Sequence, residues 1–169
     1  VKDRSRPFVV VAGERKVIAV GTSFEVRREE PAGSTFAVTL LEGHVAIEPI
    51  AWPDSPPDAG VNGVQRLNPG QRLRFTGSTT ETLDSPSIER VTAWRRGRLI
   101  FDNASLGEAA AEFNRYGTRK LVIEGLVAKN LRVGGVFKIN DLHSFAQSMA
   151  DTYGLRIIAR GKTIILTDK

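Results

Sequence analysis

The stretch AWRRGRLIFDNASLGEAAAEFNRYG, Ala93–Gly117, is where the periodicity of the chain changes. GRLIFDN reads as a strand. After it Leu106, Ala109, Ala110, Phe113 and Tyr116 recur at the spacing of one helical face. Ser105 and Glu108 fit a capping box, in which hydroxyl and carboxylate each satisfy a backbone N–H left over at the helix start. Gly117 fits the position just past a helix end.

Downstream, KLVIEG is a strand, and LRVGGVFKIN is another whose Gly134-Gly135 pair suggests a bulge. Asn140 or Asp141 can cap a second helix carrying Leu142, Phe145, Met149 and Tyr153 on one face, with Gly154 closing it. LRIIARGKTIILTD ends the chain as a hairpin around Arg160-Gly161-Lys162. The expected order is β-α-β-β-α-β-β, one small sheet with two helices packed on it.

Upstream of Trp94 the reading is all β, with no helical pattern between Val1 and Thr92. Phe36, Val38 and Leu40 alternate onto one face, and Val45 and Ile47 follow a Glu42-Gly43 turn, which predicts a hairpin. AWPDSPPDAGVNG is a loop, and Asn68-Pro69-Gly70 is a turn between two short strands. Short, regularly spaced strands predict a sandwich, barrel or solenoid-like unit. The fold class is therefore α+β, with an all-β domain over 1–93 and a small mixed domain over 94–169.

The chain has 169 residues, 41% apolar and 25% charged, and its net charge is +5. Residues 1–93 hold 11 Lys/Arg against 12 Asp/Glu, a net of −1, while residues 94–169 hold 13 against 7, a net of +6. All the excess positive charge lies in the second domain, which calls for an acidic partner there. Cysteine is absent, which excludes disulfides, thiol nucleophiles and thiolate metal sites. No apolar run approaches the ~18 residues that span a bilayer. The chain begins at Val1 rather than Met, which is the expectation for a processed or excised segment.

No catalytic constellation is legible, so no cofactor, metal or turnover is expected. His44 and His143 stand far apart without metal-ligand spacing, and phosphate-loop and nucleophile-elbow motifs are missing. Arg95, Arg96 and Arg98 beside Trp94 raise a nucleic-acid reading, by phosphate contact and base stacking. Against it, arginines also blunt an open sheet edge, and the first helix carries Glu108 and Glu112 where a recognition helix would be basic. The expectation is no nucleic acid.

VGTSFEVRREE, FAVTLLEGHVAI and LNPGQRLRF, in that order, resemble the periplasmic domain of FecR-like sigma-factor regulators. WRRGRLIFDNASLGEAAAEFNRYG then resembles the junction of that domain with a secretin/TonB short N-terminal (STN) domain, and LVIEG through IILT resembles the rest of it. The resemblance spans nearly the whole chain. One departure is Ala104-Ser105, where the family often has Thr-Pro before the helix leucine. The resemblance implies a periplasmic signalling region of a single-pass inner-membrane protein. Its partner would be the N-terminal signalling domain of an outer-membrane TonB-dependent siderophore transporter. A sigma factor would be bound through a cytoplasmic domain absent here. Two readings compete with it: a nucleic-acid-binding domain, and a self-assembling envelope domain of the secretin type.

For the partner surface, sheet edges that accept a strand are the natural device. The candidate residues are Arg132, Val133, Val136, Phe137 and Lys138, with Thr163, Ile164 and Ile165 of the final strand; ordinary sheet packing is the competing reading for each. Some FecR-like proteins also cleave themselves at a Gly-Thr bond, and Gly21-Thr22 occupies the matching place in VGTSFEV. A threonine hydroxyl attacking the preceding carbonyl would give an ester that water splits. The competing reading is a plain turn at a strand entry.

Overall fold

The computed structural model describes residues 7–29, 35–50, 64–76 and 80–169. The expected loop over Ala51–Gly63 lies outside them. The chain forms two compact units, Val1–Ile88 and Glu89–Lys169, so the division falls slightly ahead of the boundary expected after Ala93. A short helix α1, Ile88–Thr92, straddles the division and leads into a single 3-10 turn, Ala93–Arg96. Neither was legible as a helix. α1 is five residues long and buries none of them, so it leaves no apolar period to read.

Among its described residues the first unit has eight strands: β1 (Phe8–Ala12), β2 (Arg15–Ala19), β3 (Ser23–Glu29), β4 (Thr35–Glu42), β5 (Val45–Pro49), β6 (Gln65–Leu67), β7 (Arg72–Thr76) and β8 (Thr80–Asp84). They form two antiparallel sheets, ordered β1-β2-β5-β6 and β3-β4-β7-β8. Ala12, Val17, Val45, Ile47 and Leu67 of one sheet share a core with Val38, Leu40, Leu73 and Phe75 of the other. Each fully buried side chain of this kind contributes about 1.5–3 kcal/mol, and together they make the unit a sandwich.

Successive strand pairs go alternately to the two sheets, which corrects the expected hairpin at Glu42-Gly43, while the expected turn at Asn68-Pro69-Gly70 between two short strands is present. β4 pairs with β3 and β7, not with β5, and β6 and β7 lie in different sheets. The turns at Gly43 and at Asn68–Gly70 are thus corners carrying the chain across the core. Period-two alternation cannot distinguish strands that pair from strands that face each other, because both present the same side to the core.

The second unit holds β9 (Arg98–Ser105), α2 (Leu106–Phe113), β10 (Lys120–Glu124), α3 (Leu126–Asn130), β11 (Arg132–Lys138), α4 (Leu142–Tyr153), β12 (Arg156–Arg160) and β13 (Thr163–Thr167). The expected single sheet is two sheets: β9 with β11 antiparallel, and β10-β13-β12 with β10 parallel to β13. Leu99, Phe101 and Val133 of the first sheet, Leu121, Ile123, Ile164 and Leu166 of the second, and both long helices share one core. Phe113 and Phe145, 4.5 Å apart between ring centroids, lie in it.

The capping box on α2 is present: Glu108 N–H donates to Ser105 Oγ (3.1 Å) and Ser105 N–H to Glu108 Oε2 (2.7 Å). The helix stops earlier than Gly117, because Asn114 turns its amide onto β10. Asn114 Nδ2 donates to Leu121 O (2.8 Å) and Leu121 N–H to Asn114 Oδ1 (2.7 Å). On α4 the cap is Asp141, whose carboxylate accepts from Ser144 N–H and is held below its ordinary pKa chiefly by a hydrogen bond from the Ser144 side chain, then by that backbone N–H.

Candidate functional site

Three features read from the sequence meet the structure here: the Gly21-Thr22 bond, the β11 and β13 residues, and the basic patch. Gly21-Thr22 sits at the corner from β2 to β3, next to the corner from β4 to β5. Thr22 Oγ1 donates to His44 O at 2.7 Å, with Val20 O at 3.2 Å. Gly43 has a φ of 88°, and a Cβ placed there would lie 3.1 Å from Thr22 Oγ1 and 3.2 Å from Gly21 O. The hydroxyl therefore points its proton at a main-chain carbonyl, a weak base, and joins two corners of the sandwich.

On β11 the structure separates the candidates. Val133 is buried in the core, and Phe137 meets Phe145 edge-on at 4.9 Å. Val133 is thus a packing residue, and Phe137 is half-buried with its ring against the core. Arg132, Val136 and Lys138 are exposed, Val136 by 59%. The irregularity expected at Gly134-Gly135 is found, but its extra residue lies on β9. Asp102 and Asn103 together stand opposite Gly134, and Asn103 takes a φ of 53°. The Tyr153 hydroxyl donates to Arg132 O, tying down the start of β11.

The β13 candidates do not form an edge. β13 is the middle strand of its sheet, with Thr163 paired to Lys120 on one side and Arg160 on the other. Ile164 and Ile165 are buried. A strand with both sides occupied has no main-chain groups left for a partner, so Thr163, Ile164 and Ile165 are removed as strand acceptors. The outer side of β10 is engaged by Asn114 at Leu121. β12 pairs only with β13, and among the described residues no strand lies along its outer side. Its sequence, RIIAR, carries an arginine at each end. The two arginines are visible in the sequence, but a hairpin pattern does not say which of its two strands lies at the edge of a sheet.

The opening arginines do not gather into one grip. Arg95 lies over its neighbour Trp94 at 5.8 Å, and the Trp94 ring stacks on Tyr116 at 6.4 Å. Arg98 starts β9 and stands opposite Lys138 of β11. Among the described residues no group of three or more His, Asp or Glu side chains is placed to hold a metal ion, and no helix is long and apolar enough to cross a membrane.

No family model matches the chain, and no curated protein sequence matches it. Solved structures do match. Two crystal structures, each described as a candidate anti-sigma factor from Parabacteroides distasonis, superpose with TM-scores of 0.74 and 0.72 at 21% identity. Both cover 100% of this chain and 74% of the matched chain. The two-unit architecture is thus shared along its whole length.

Proposed function

We propose that this chain is the periplasmic signalling region of a membrane-anchored sigma-factor regulator. It binds the N-terminal signalling domain of an outer-membrane TonB-dependent transporter, and the transporter's loading state passes through it to an extracytoplasmic-function sigma factor. The observation that carries the reading is the end-to-end likeness to chains described as candidate anti-sigma factors. The order of FecR-like and STN-like segments in the sequence, and the +6 charge confined to the second domain, support the partner assignment.

Titration calorimetry of this chain against the signalling domains of the TonB-dependent transporters of its own organism tests the proposal. Saturable 1:1 binding that weakens with salt is expected. A folded chain that gives no binding overturns it. The two competing readings would show themselves as a salt-sensitive shift of DNA or RNA in a gel, or as concentration-dependent sedimentation.

A further inference from the structure

We infer that the outer side of β12 is the docking edge of the second unit, and that its occupant is an extended acidic strand of the pattern acidic-x-apolar-x-acidic. This rests on the partner reading above and names the surface that serves it.

β13 is occupied on both sides, β10 is engaged at Leu121 by Asn114, β11 is tied at Arg132 by Tyr153, and β9, the other strand of that two-stranded sheet, is broken by its own bulge at Asp102-Asn103. Bulges and side-chain caps are the means by which edge strands are closed to further pairing. β12 has none of them: its five residues keep unbroken register with β13, and no hydrogen bond from a described residue reaches its outer side.

The side chains then define the occupant. Along β12, Ile157 packs against the core, so Arg156, Ile158 and Arg160 share the opposite face. Arg156 and Arg160 are exposed and make no ion pair among the described residues, while Ile158 is half-buried. Lys162, exposed at the hairpin tip, adds a third cation at that end. A strand laid beside β12 would put its own alternate residues next to Arg156, Ile158 and Arg160. Carboxylates at the two ends and an apolar residue between them satisfy all three.

The same charges disfavour a second copy of this chain. Antiparallel self-pairing centred on Ile158 would place Arg156 opposite Arg160 twice, and like charges directly opposite are destabilising.

Hydrogen exchange and calorimetry test the proposal together, using the whole chain. Two probes serve: the transporter signalling domain, and a blocked synthetic peptide, Gly-Asp-Thr-Val-Thr-Glu-Gly. Either probe is expected to slow exchange over Arg156–Arg160. The Arg156→Glu/Arg160→Glu double variant should keep its thermal midpoint and lose about tenfold in affinity at low salt. Arg156→Gln/Arg160→Gln should lose less. Binding of the signalling domain with no protection in β12, or unchanged affinity in the folded charge-reversed variant, overturns the docking edge and leaves the partner reading standing. Peptide protection in β12 without any binding of the signalling domain overturns the partner reading and leaves the edge. Protection by neither probe overturns the docking edge.

Discussion

Asp168 accepts a hydrogen bond from Ala128 N–H at 2.9 Å, and its carboxylate occupies the space a side chain on Gly125 would need. The penultimate residue of the chain thus holds the start of α3, a helix too short to be stable by itself. Gly125 has a φ of 98°, so alanine there meets both a conformational penalty and a collision with the capping group. Gly125→Ala should destabilise the second unit by about 2–4 kcal/mol, and Asp168→Ala by about 1 kcal/mol. The double variant should fall short of their sum, because removing the carboxylate relieves the collision. Urea unfolding of the three variants checks this, and additivity would refute the shared space.

Asn103 carries the positive φ of the β9 bulge. Asn103→Gly should be neutral or slightly stabilising, since glycine adopts that conformation without penalty. Asn103→Val should destabilise by about 1–2 kcal/mol, because a β-branched residue is strained there. Equal thermal midpoints for the two variants would show that the bulge shifts its position freely.

The bulge also shows where sequence reading succeeds and where it stops. Gly134-Gly135 announced an irregularity in β11, and Asp102-Asn103 inside β9 was the equally visible sign of which strand holds the extra residue. The two helical faces and the Ser105-Glu108 cap were legible because they depend on neighbours three and four residues away. Strand partners were not, because Val38 and Val45 turn the same way to the core whether their strands pair or face. The site followed the same rule. Val133 and Ile164 looked available on a strand pattern; the packing of the core encloses Val133, and the sheet order adds a strand on each side of Ile164.

On the outer face of the second sandwich sheet, Arg72 grips Asp84 through Nε at 2.9 Å and a second contact through Nη2, and Arg74 reaches the same carboxylate at 3.0 Å. The Arg72 hydrogen bond chiefly, with the charges of Arg72 and Arg74, holds Asp84 below its ordinary 3.8 against the opposing effect of burial. A carboxyl with a depressed folded pKa contributes stability above its unfolded pKa and loses it as pH falls through the folded value. The thermal midpoints of wild type and Asp84→Asn should differ by a constant amount above about pH 5 and converge as pH drops below 3.8. A gap that persists at pH 2 would mean that the charge on Asp84 is not what the arginines stabilise.

Self-cleavage at Gly21-Thr22 would need Thr22 Oγ1 to attack the Gly21 carbonyl carbon, with its proton passing to the departing amide nitrogen before water splits the ester. The Thr22 hydroxyl is instead committed to His44 O at 2.7 Å, and that bond links the β2–β3 corner to the β4–β5 corner. The corner role predicts a single intact mass for freshly purified protein. It also predicts a loss of about 1 kcal/mol in Thr22→Val, which keeps the shape but lacks the donor, with Thr22→Ser close to wild type. Gly43→Ala should weaken the same joint, since its Cβ would crowd Thr22 Oγ1 and Gly21 O at a φ of 88°. Mass spectrometry and unfolding measurements separate the two roles. Two fragments in wild type and one intact chain in Thr22→Val would assign the hydroxyl to bond cleavage, whereas an intact wild type with a destabilised valine variant assigns it to the corner.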